Sequence, residues 1–184
     1  MIVSPSSITR DAIISLLSDA GNGFNACYAN ALTNHPGAPP MAIDYGSPRS
    51  KNFFKGDVDP ESIEETGTFT YPIQTIFSIA GASTNTQKFQ RFAGVIKMGS
   101  RFFLSGKGYK NSGLMQDFEA WPDCTEDAFM QVIQNPVSQN WPMGGASSIL
   151  YNGEISYERK FPMQAGENWL QILTFRMTFE VVIA

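Results

Sequence analysis

The sequence predicts an α+β fold, with a mainly antiparallel sheet, helices packed on one face and a long irregular insertion. The patterns follow the order helix, strand, strand, helix, insertion, hairpin and terminal strand, and consecutive strands favour antiparallel pairing. The 184 residues are 42% hydrophobic, enough to bury a core within one domain, 1–184. The last strand alternates regularly to the end of the sequence, which indicates that it lies inside the sheet.

The N-terminal part is predicted to hold two helices and a short strand. Ser4–Ala20 begins with Ser-Pro, a cap followed by proline at the first helical position, and its apolar residues recur at helical spacing. Residues 24–33 fit a second, short helix. After a proline-rich break, Met41–Tyr45 alternates apolar with polar residues, which predicts a strand. Residues 46–66 are predicted to form a loop, and loops of that length are often functional.

The middle of the chain is predicted to form a strand, a helix and an insertion. Phe69–Ala80 alternates as a half-buried strand does. The apolar residues of Asn85–Leu104 make one stripe on a helix that would pack on the sheet. Residues 105–147 carry many glycines and two Trp-Pro pairs, which predicts an insertion with little regular structure apart from a short helix at 125–134.

The C-terminal part is predicted to be a hairpin followed by a long strand. Asn152-Gly153 is the dipeptide that two-residue type I′ turns favour, with arms at 147–151 and 154–160. Trp169–Ile183 is then predicted to be the last strand, because from Leu173 to Ile183 every second residue is apolar and Thr174, Arg176, Thr178 and Glu180 lie between them.

The sequence carries no recognisable catalytic or metal-binding motif, so we expect no enzyme, no cofactor and no metal site. His35 is the one histidine, and no nucleophile motif accompanies it. The acidic cluster Asp57, Asp59 and Glu61 lacks the spacing of a calcium loop and favours a solvated turn.

Composition favours a protein that associates with other proteins. Charged residues make up 16% of the chain, whereas aromatic residues are plentiful, as in interface cores. The net charge of −4 argues against a nucleic-acid-binding surface of the usual basic kind. Cys27 and Cys124 match no zinc or redox spacing and are predicted to be reduced, buried thiols. No signal peptide or membrane span is recognisable, which predicts synthesis in the cytoplasm.

Aromatic residues inside the two irregular segments are the candidate contacts with partners. An extended segment cannot direct both rings of Phe53-Phe54 into one core, although the alternative is that one of the two fills the core. We expect these segments, not the sheet, to bind partners, because loops vary freely on a rigid frame. The interface candidates are Phe53, Phe54, Lys51, Lys55, Phe118, Trp121 and Trp141.

The order of elements resembles that of the tail terminator proteins of long-tailed bacteriophages. The matching pieces are Ser4–Ala20, Met41–Tyr45, Phe69–Ala80, Asn85–Leu104 and Trp169–Ile183. The resemblance implies a virion protein, made in the host cytoplasm, that forms a homohexameric ring. The ring would cap the tail tube protein and join it to neck and connector proteins, and DNA would pass through its lumen without specific binding.

Two other functions remain open. Another neck, stopper or tail structural protein would share the same logic of assembly. A small enzyme or ligand-binding module belongs to a different class, and the particle size in solution separates it from an assembling protein.

Overall fold

The computed structural model shows a mixed α+β chain and describes residues 5–46, 52–55, 73–86, 92–107, 113–134, 147–160, 163–165 and 168–183. The helices of this part are α1 (Pro5–Leu17), α2 (Phe24–Ala31) and α3 (Gly113–Gln134). The strands are β1 (Phe53–Lys55), β2 (Ile73–Thr86), β3 (Phe92–Lys107), β4 (Ser147–Arg159), β5 (Met163–Ala165) and β6 (Asn168–Ile183). None of these helices has the length and apolarity that a membrane span requires.

The described strands form one sheet in the order β1-β2-β3-β6-β4, and β5 also pairs with β6. β1 runs parallel to β2, whereas the other described pairs are antiparallel. β3 and β6 pair along their whole length, from Phe92 opposite Ile183 to Lys107 opposite Asn168. The strands predicted at Phe69–Ala80 and Trp169–Ile183 therefore belong to one sheet in their described residues, with β3 between them.

The three helices and the sheet share one hydrophobic core. α1 lies against β2, β3 and β6, and α2 packs on α3. The sheet contributes alternate residues of β6, namely Leu173, Phe175 and Met177, to the same cluster as the helices. Phe129 of α3 stacks on Phe175 with ring centroids 4.3 Å apart. This alternation confirms the predicted pattern of the terminal strand in the part whose side chains are described.

The α3 helix is longer than the sequence predicts, so residues 105–147 are not an irregular insertion throughout. Pro122 lies inside α3, although proline has no backbone N–H to donate. For that reason the Trp121-Pro122 pair indicated a break in regular structure. Fully buried side chains nevertheless recur at spacings of three and four residues, which is the period of a helix packed along one face. They are Trp121, Cys124, Thr125, Ala128, Phe129 and Val132.

The predicted helix at 85–104 is wrong, because the described residues of this range, 85–86 and 92–104, belong to strands β2 and β3. Its apolar stripe at helical spacing also fits two alternating strand faces. Gly94 and Gly99 would each cost a helix interior about 1 kcal/mol, and Val95, Ile96, Phe102 and Phe103 favour strands. Pairing of β3 with β2 on one side and β6 on the other then fixes the extended form.

The predicted Asn152-Gly153 hairpin is also wrong, since residues 147–159 form the single strand β4. The pairing with β6 shifts there: Tyr151 lies opposite Phe179 and Ile155 opposite Met177. Three residues of β4, 152–154, therefore face one residue of β6, Thr178. A glycine within a strand commonly marks such a bulge, so the Asn-Gly signal located an irregularity but not a chain reversal.

The strand predicted for Met41–Tyr45 is not found, and the side-chain amides of two asparagines bond the backbone of residues 42–44 instead. Asn25 Nδ2 donates to the Ile43 carbonyl at 2.8 Å, and the Ile43 N–H donates to Asn25 Oδ1 at 2.8 Å. On the other side, Asn52 Nδ2 donates to the Ala42 carbonyl at 2.7 Å, and the Asp44 N–H donates to Asn52 Oδ1 at 2.9 Å. We call this arrangement the asparagine clamp.

The first two helices agree with the sequence. α1 covers most of Ser4–Ala20, and α2 lies within residues 24–33. The strand predicted for Phe69–Ala80 is found from residue 73 onward, and residues 69–72 lie outside the described part. The predicted loop at 46–66 contains the short strand β1.

Candidate protein interface at the β4 edge

Phe53 is a core residue, which corrects its assignment as a partner contact. It is 3% exposed, and its ring meets Tyr45 edge-on with centroids 4.8 Å apart. β1 carries it into the sheet, so burial comes from the chain itself. Phe54, the next residue, is half-buried. One ring of the pair therefore fills the core, as the alternative interpretation of the sequence held.

Trp121 is likewise a core residue and not a surface contact. It is fully buried, and its Nε1–H donates to Met41 Sδ at 3.2 Å. Phe118 lies on α3 and Lys55 ends β1, but the structure does not describe their side chains. Lys51 and Trp141 lie outside the described residues. Of the candidates whose side chains the structure describes, Phe53 and Trp121 are therefore in the core and Phe54 is half-buried.

A different aromatic residue, Tyr157 of β4, is exposed. Among the described side chains it is the large apolar one at the surface, with 52% exposure. Its ring stacks on buried Phe175 with centroids 5.9 Å apart and planes tilted by 27°. Tyr157 is thus held by the core while presenting its other side to solvent. In the sequence, Tyr157 belongs to the predicted arm 154–160 and not to either irregular segment.

Charged side chains surround Tyr157 on the helix side of the sheet. Arg159, two residues along β4, donates to Asp123 Oδ1 of α3 at 2.7 Å. Glu126 lies beside Tyr157, and its negative charge raises the pKa of the Tyr157 hydroxyl. Farther along α3, Asp127 Oδ2 lies 2.9 Å from His35 Nε2. Asp123 and Glu126 of α3 thus lie close to β4, and we call Tyr157 with Asp123 and Glu126 the tyrosine patch.

The opposite face of the same edge carries a separate ion pair. Arg176 of β6 donates to Glu158 Oε2 of β4 at 3.1 Å, and both side chains are more than half exposed. Glu158 alternates with Tyr157 along the strand, so the two lie on opposite faces. Such exposed ion pairs contribute about 0–1 kcal/mol to folding stability. The pair therefore shows mainly that Glu158 lies on the face opposite Tyr157.

The buried polar groups of the described part do not form a reactive centre. Cys27 and Cys124 are buried and unpaired, as predicted. Burial raises the pKa of the Cys124 thiol to about 11, so it stays protonated and weakly nucleophilic. No group of three or more acidic, histidine or cysteine side chains that could hold a metal occurs among the described residues.

Gln74 and Tyr45 form an internal polar contact that leaves atoms unsatisfied. Gln74 is fully buried on β2, and neither atom of its amide makes a hydrogen bond, nor does the Tyr45 hydroxyl. Burial raises the pKa of Tyr45, and the neighbouring Gln74 amide opposes that shift.

No family model matches the chain, and no similar sequence was found among curated proteins.

Proposed function

We propose that this chain is a structural protein that assembles with copies of itself by joining the edges of its sheet. The observation that carries the proposal is that the described sheet ends in two different edges. β4 closes one side of the strand order and β1 the other, and no described strand pairs with the outer side of either. An exposed strand edge is a template for pairing with another chain.

The strand directions permit such pairing without turning a copy over. β1, β2 and β6 run in one direction, whereas β3 and β4 run in the opposite direction. β4 of one copy and β1 of the next would therefore meet antiparallel in a sheet that continues from copy to copy. Because the two edges differ, the contact is heterologous, and heterologous contacts form closed rings when the rotation allows it.

The specific role that we propose is that of a phage tail terminator. The support is the resemblance in element order at α1, at the strand around 73–80 and at β6. Met41–Tyr45 and Asn85–Leu104 no longer count as support, because the structure differs there. For this role we propose the fold that the sequence predicts, a mainly antiparallel sheet with helices packed on one face.

The proposed partners follow from that role. The chain forms a homohexameric ring on the tail tube protein and meets neck and connector proteins on the other side. DNA passes through the lumen without specific binding, which suits the net charge of −4. The chain is made in the host cytoplasm and resides in the virion.

The mass of the particle in solution tests the proposal of self-assembly. Light scattering behind a sizing column should show, as concentration rises, a species approaching six times the 20.3 kDa mass of one chain. Electron microscopy of that species should show closed rings. A chain that stays monomeric at the highest soluble concentration, both alone and with purified tail tubes, would contradict the proposal.

The position of the chain in a particle separates the terminator from its nearest alternative. A terminator lies at the head-side end of the tail tube. A stopper or other neck protein lies farther toward the head, and density for the chain at that position would overturn the terminator role while keeping the assembly role.

A further inference from the structure

We propose that the chain binds one internal water molecule between the Gln74 amide of β2 and the Tyr45 hydroxyl, on the helix side of the sheet. The site lies inside one copy, so it goes beyond the proposed function and does not depend on it. It follows from two buried polar side chains whose hydrogen-bonding atoms have no partner among the described residues. Ordered water commonly bonds such groups in protein interiors.

Both side chains lie in the core that the sheet shares with the helices. Gln74 is two residues from core residue Ile76, and residues two apart on a strand share a face. Gln74 is 0% exposed and lies opposite Phe53 in the pairing of β1 with β2. The Tyr45 ring packs on the Phe53 ring, and the Tyr45 hydroxyl is buried. The amide and the hydroxyl are therefore both kept from bulk solvent on the same side of the sheet.

Asn52 ties the two side chains to the same part of the fold. The Gln74 N–H donates to the Asn52 carbonyl at 2.8 Å. The N–H of Asp44, the residue before Tyr45, donates to Asn52 Oδ1 at 2.9 Å. Burial raises the pKa of the Tyr45 hydroxyl, and the Gln74 amide is close enough to lower it in part. The amide and the hydroxyl are thus neighbours, although no hydrogen bond joins them.

The unpaired atoms offer the partners that a bound water needs. Gln74 Nε2 donates, Gln74 Oε1 accepts, and the Tyr45 hydroxyl does either. Water also donates and accepts, and buried waters typically make about three hydrogen bonds. Neither side chain carries a charge, which favours a neutral ligand over an ion. One water molecule therefore satisfies groups that would otherwise each lower the stability of the fold.

The water itself is tested in the full-length chain. A high-resolution crystal structure should show one ordered water within about 2.7–3.2 Å of both Tyr45 Oη and an atom of the Gln74 amide. In solution, the Gln74 side-chain amide protons should show an NOE to a water that exchanges slowly with the bulk. A hydrogen bond made directly between Gln74 and Tyr45, or a site without ordered water, would overturn the proposal.

A double-mutant cycle tests the bridge through stability. Tyr45→Phe and Gln74→Met should each raise the equilibrium constant for unfolding about tenfold, because each removes one partner of the water and leaves the other buried group poorly satisfied. The double variant should lie within about threefold of the parent, since replacing both polar partners by apolar groups is nearly neutral. Urea unfolding measures the three constants.

Tyr28→Phe is the matched control. The Tyr28 hydroxyl donates directly to the Pro39 carbonyl at 2.8 Å, so its removal should not rescue Gln74→Met. Single variants at Tyr45 and Gln74 that are as stable as the parent, or more stable, would overturn the proposal, and so would losses that add in the double variant. If Gln74→Met does not fold, Gln74→Leu replaces it, and the crystal structure and the NOE decide on the parent chain alone.

Discussion

The core between the helices and the sheet differs from the β4 edge in how far its aromatic side chains are exposed. Beneath the helices, Phe24, Tyr28, Trp121, Phe129 and Phe175 are fully buried. At the β4 edge, a tyrosine that rests on the same core is half exposed and is bordered by ion pairs. Aromatic area is used for stability in the first region and remains available to another surface in the second.

The difference separates two consequences of mutation. Removing a side chain from the core between the helices and the sheet, called the closed region below, should lower the free energy of unfolding. Removing one from the β4 edge should change association and leave the fold nearly intact. Each prediction below tests whether the two regions behave in these different ways, starting with the largest expected effect.

Phe129→Ala should destabilise the chain by about 3–5 kcal/mol, the usual cost of emptying a buried aromatic site. The stack of Phe129 on Phe175 should add a coupling of about 0.5–1.5 kcal/mol in a double-mutant cycle with Phe175→Ala. Urea unfolding gives both values. Tyr157→Ala is the control and should cost much less, because half of the residue is already exposed. Equal losses for Phe129→Ala and Tyr157→Ala would abolish the distinction between the regions.

Asn52→Ala should destabilise the chain by about 1–3 kcal/mol, because two backbone groups of residues 42 and 44 lose their partner in the asparagine clamp. Asn52→Asp keeps the acceptor for Asp44 but sets a carboxylate oxygen against the Ala42 carbonyl in a buried position, so it should destabilise the chain at least as much as Asn52→Ala. Thermal and urea unfolding measure the series. A neutral Asn52→Ala would mean that water replaces the clamp and that residues 41–45 do not need it.

High pH should weaken the closed region through Cys124. Its pKa in the folded chain is raised to about 11, so the folded state holds the proton more tightly than the unfolded state. The stability that this provides is complete below the ordinary thiol pKa of 9.0 and is lost as the pH rises toward 11. Melting temperatures measured across that window should fall less steeply in Cys124→Ala. An unchanged slope would show that the thiol does not contribute.

Arg159→Ala should have the smallest effect on stability, about 0–1 kcal/mol, because its ion pair with Asp123 is exposed. Urea unfolding at low and high salt should give nearly the same difference from the parent. A loss of several kcal/mol would show that the β4 edge is part of the closed region.

The sequence predicted the elements whose period was unambiguous. α1 and β6 are long and regular, and the structure agrees with both. The stripe at 92–104 was ambiguous, because helix and strand periods share several apolar positions over so short a stretch. Pairing with strands far away in sequence decided between them, and a local pattern does not contain that information. The same holds for Asn152-Gly153, which indicates a break in regular pairing but does not distinguish a turn from a bulge.

The candidate site was the part that sequence reasoning placed least well. The sequence predicts surface positions for aromatic residues in segments without clear periodicity, yet Phe53 of strand β1 and Trp121 of helix α3 are buried. Burial of a particular ring depends on which elements pack above it. Tyr157 lies on β4, the last strand in the described order, and remains 52% exposed although its ring stacks on Phe175.

Hydrogen exchange of the backbone amides, compared between the assembled and the dissociated chain, tests the central claim most directly. The account predicts that protection rises on assembly within β4 and around β1, where a strand of the next copy adds hydrogen bonds, and stays unchanged in α2 and α3. Protection that rises in the helices while β4 is unaffected would show that the helical layer, and not the sheet edge, joins the copies.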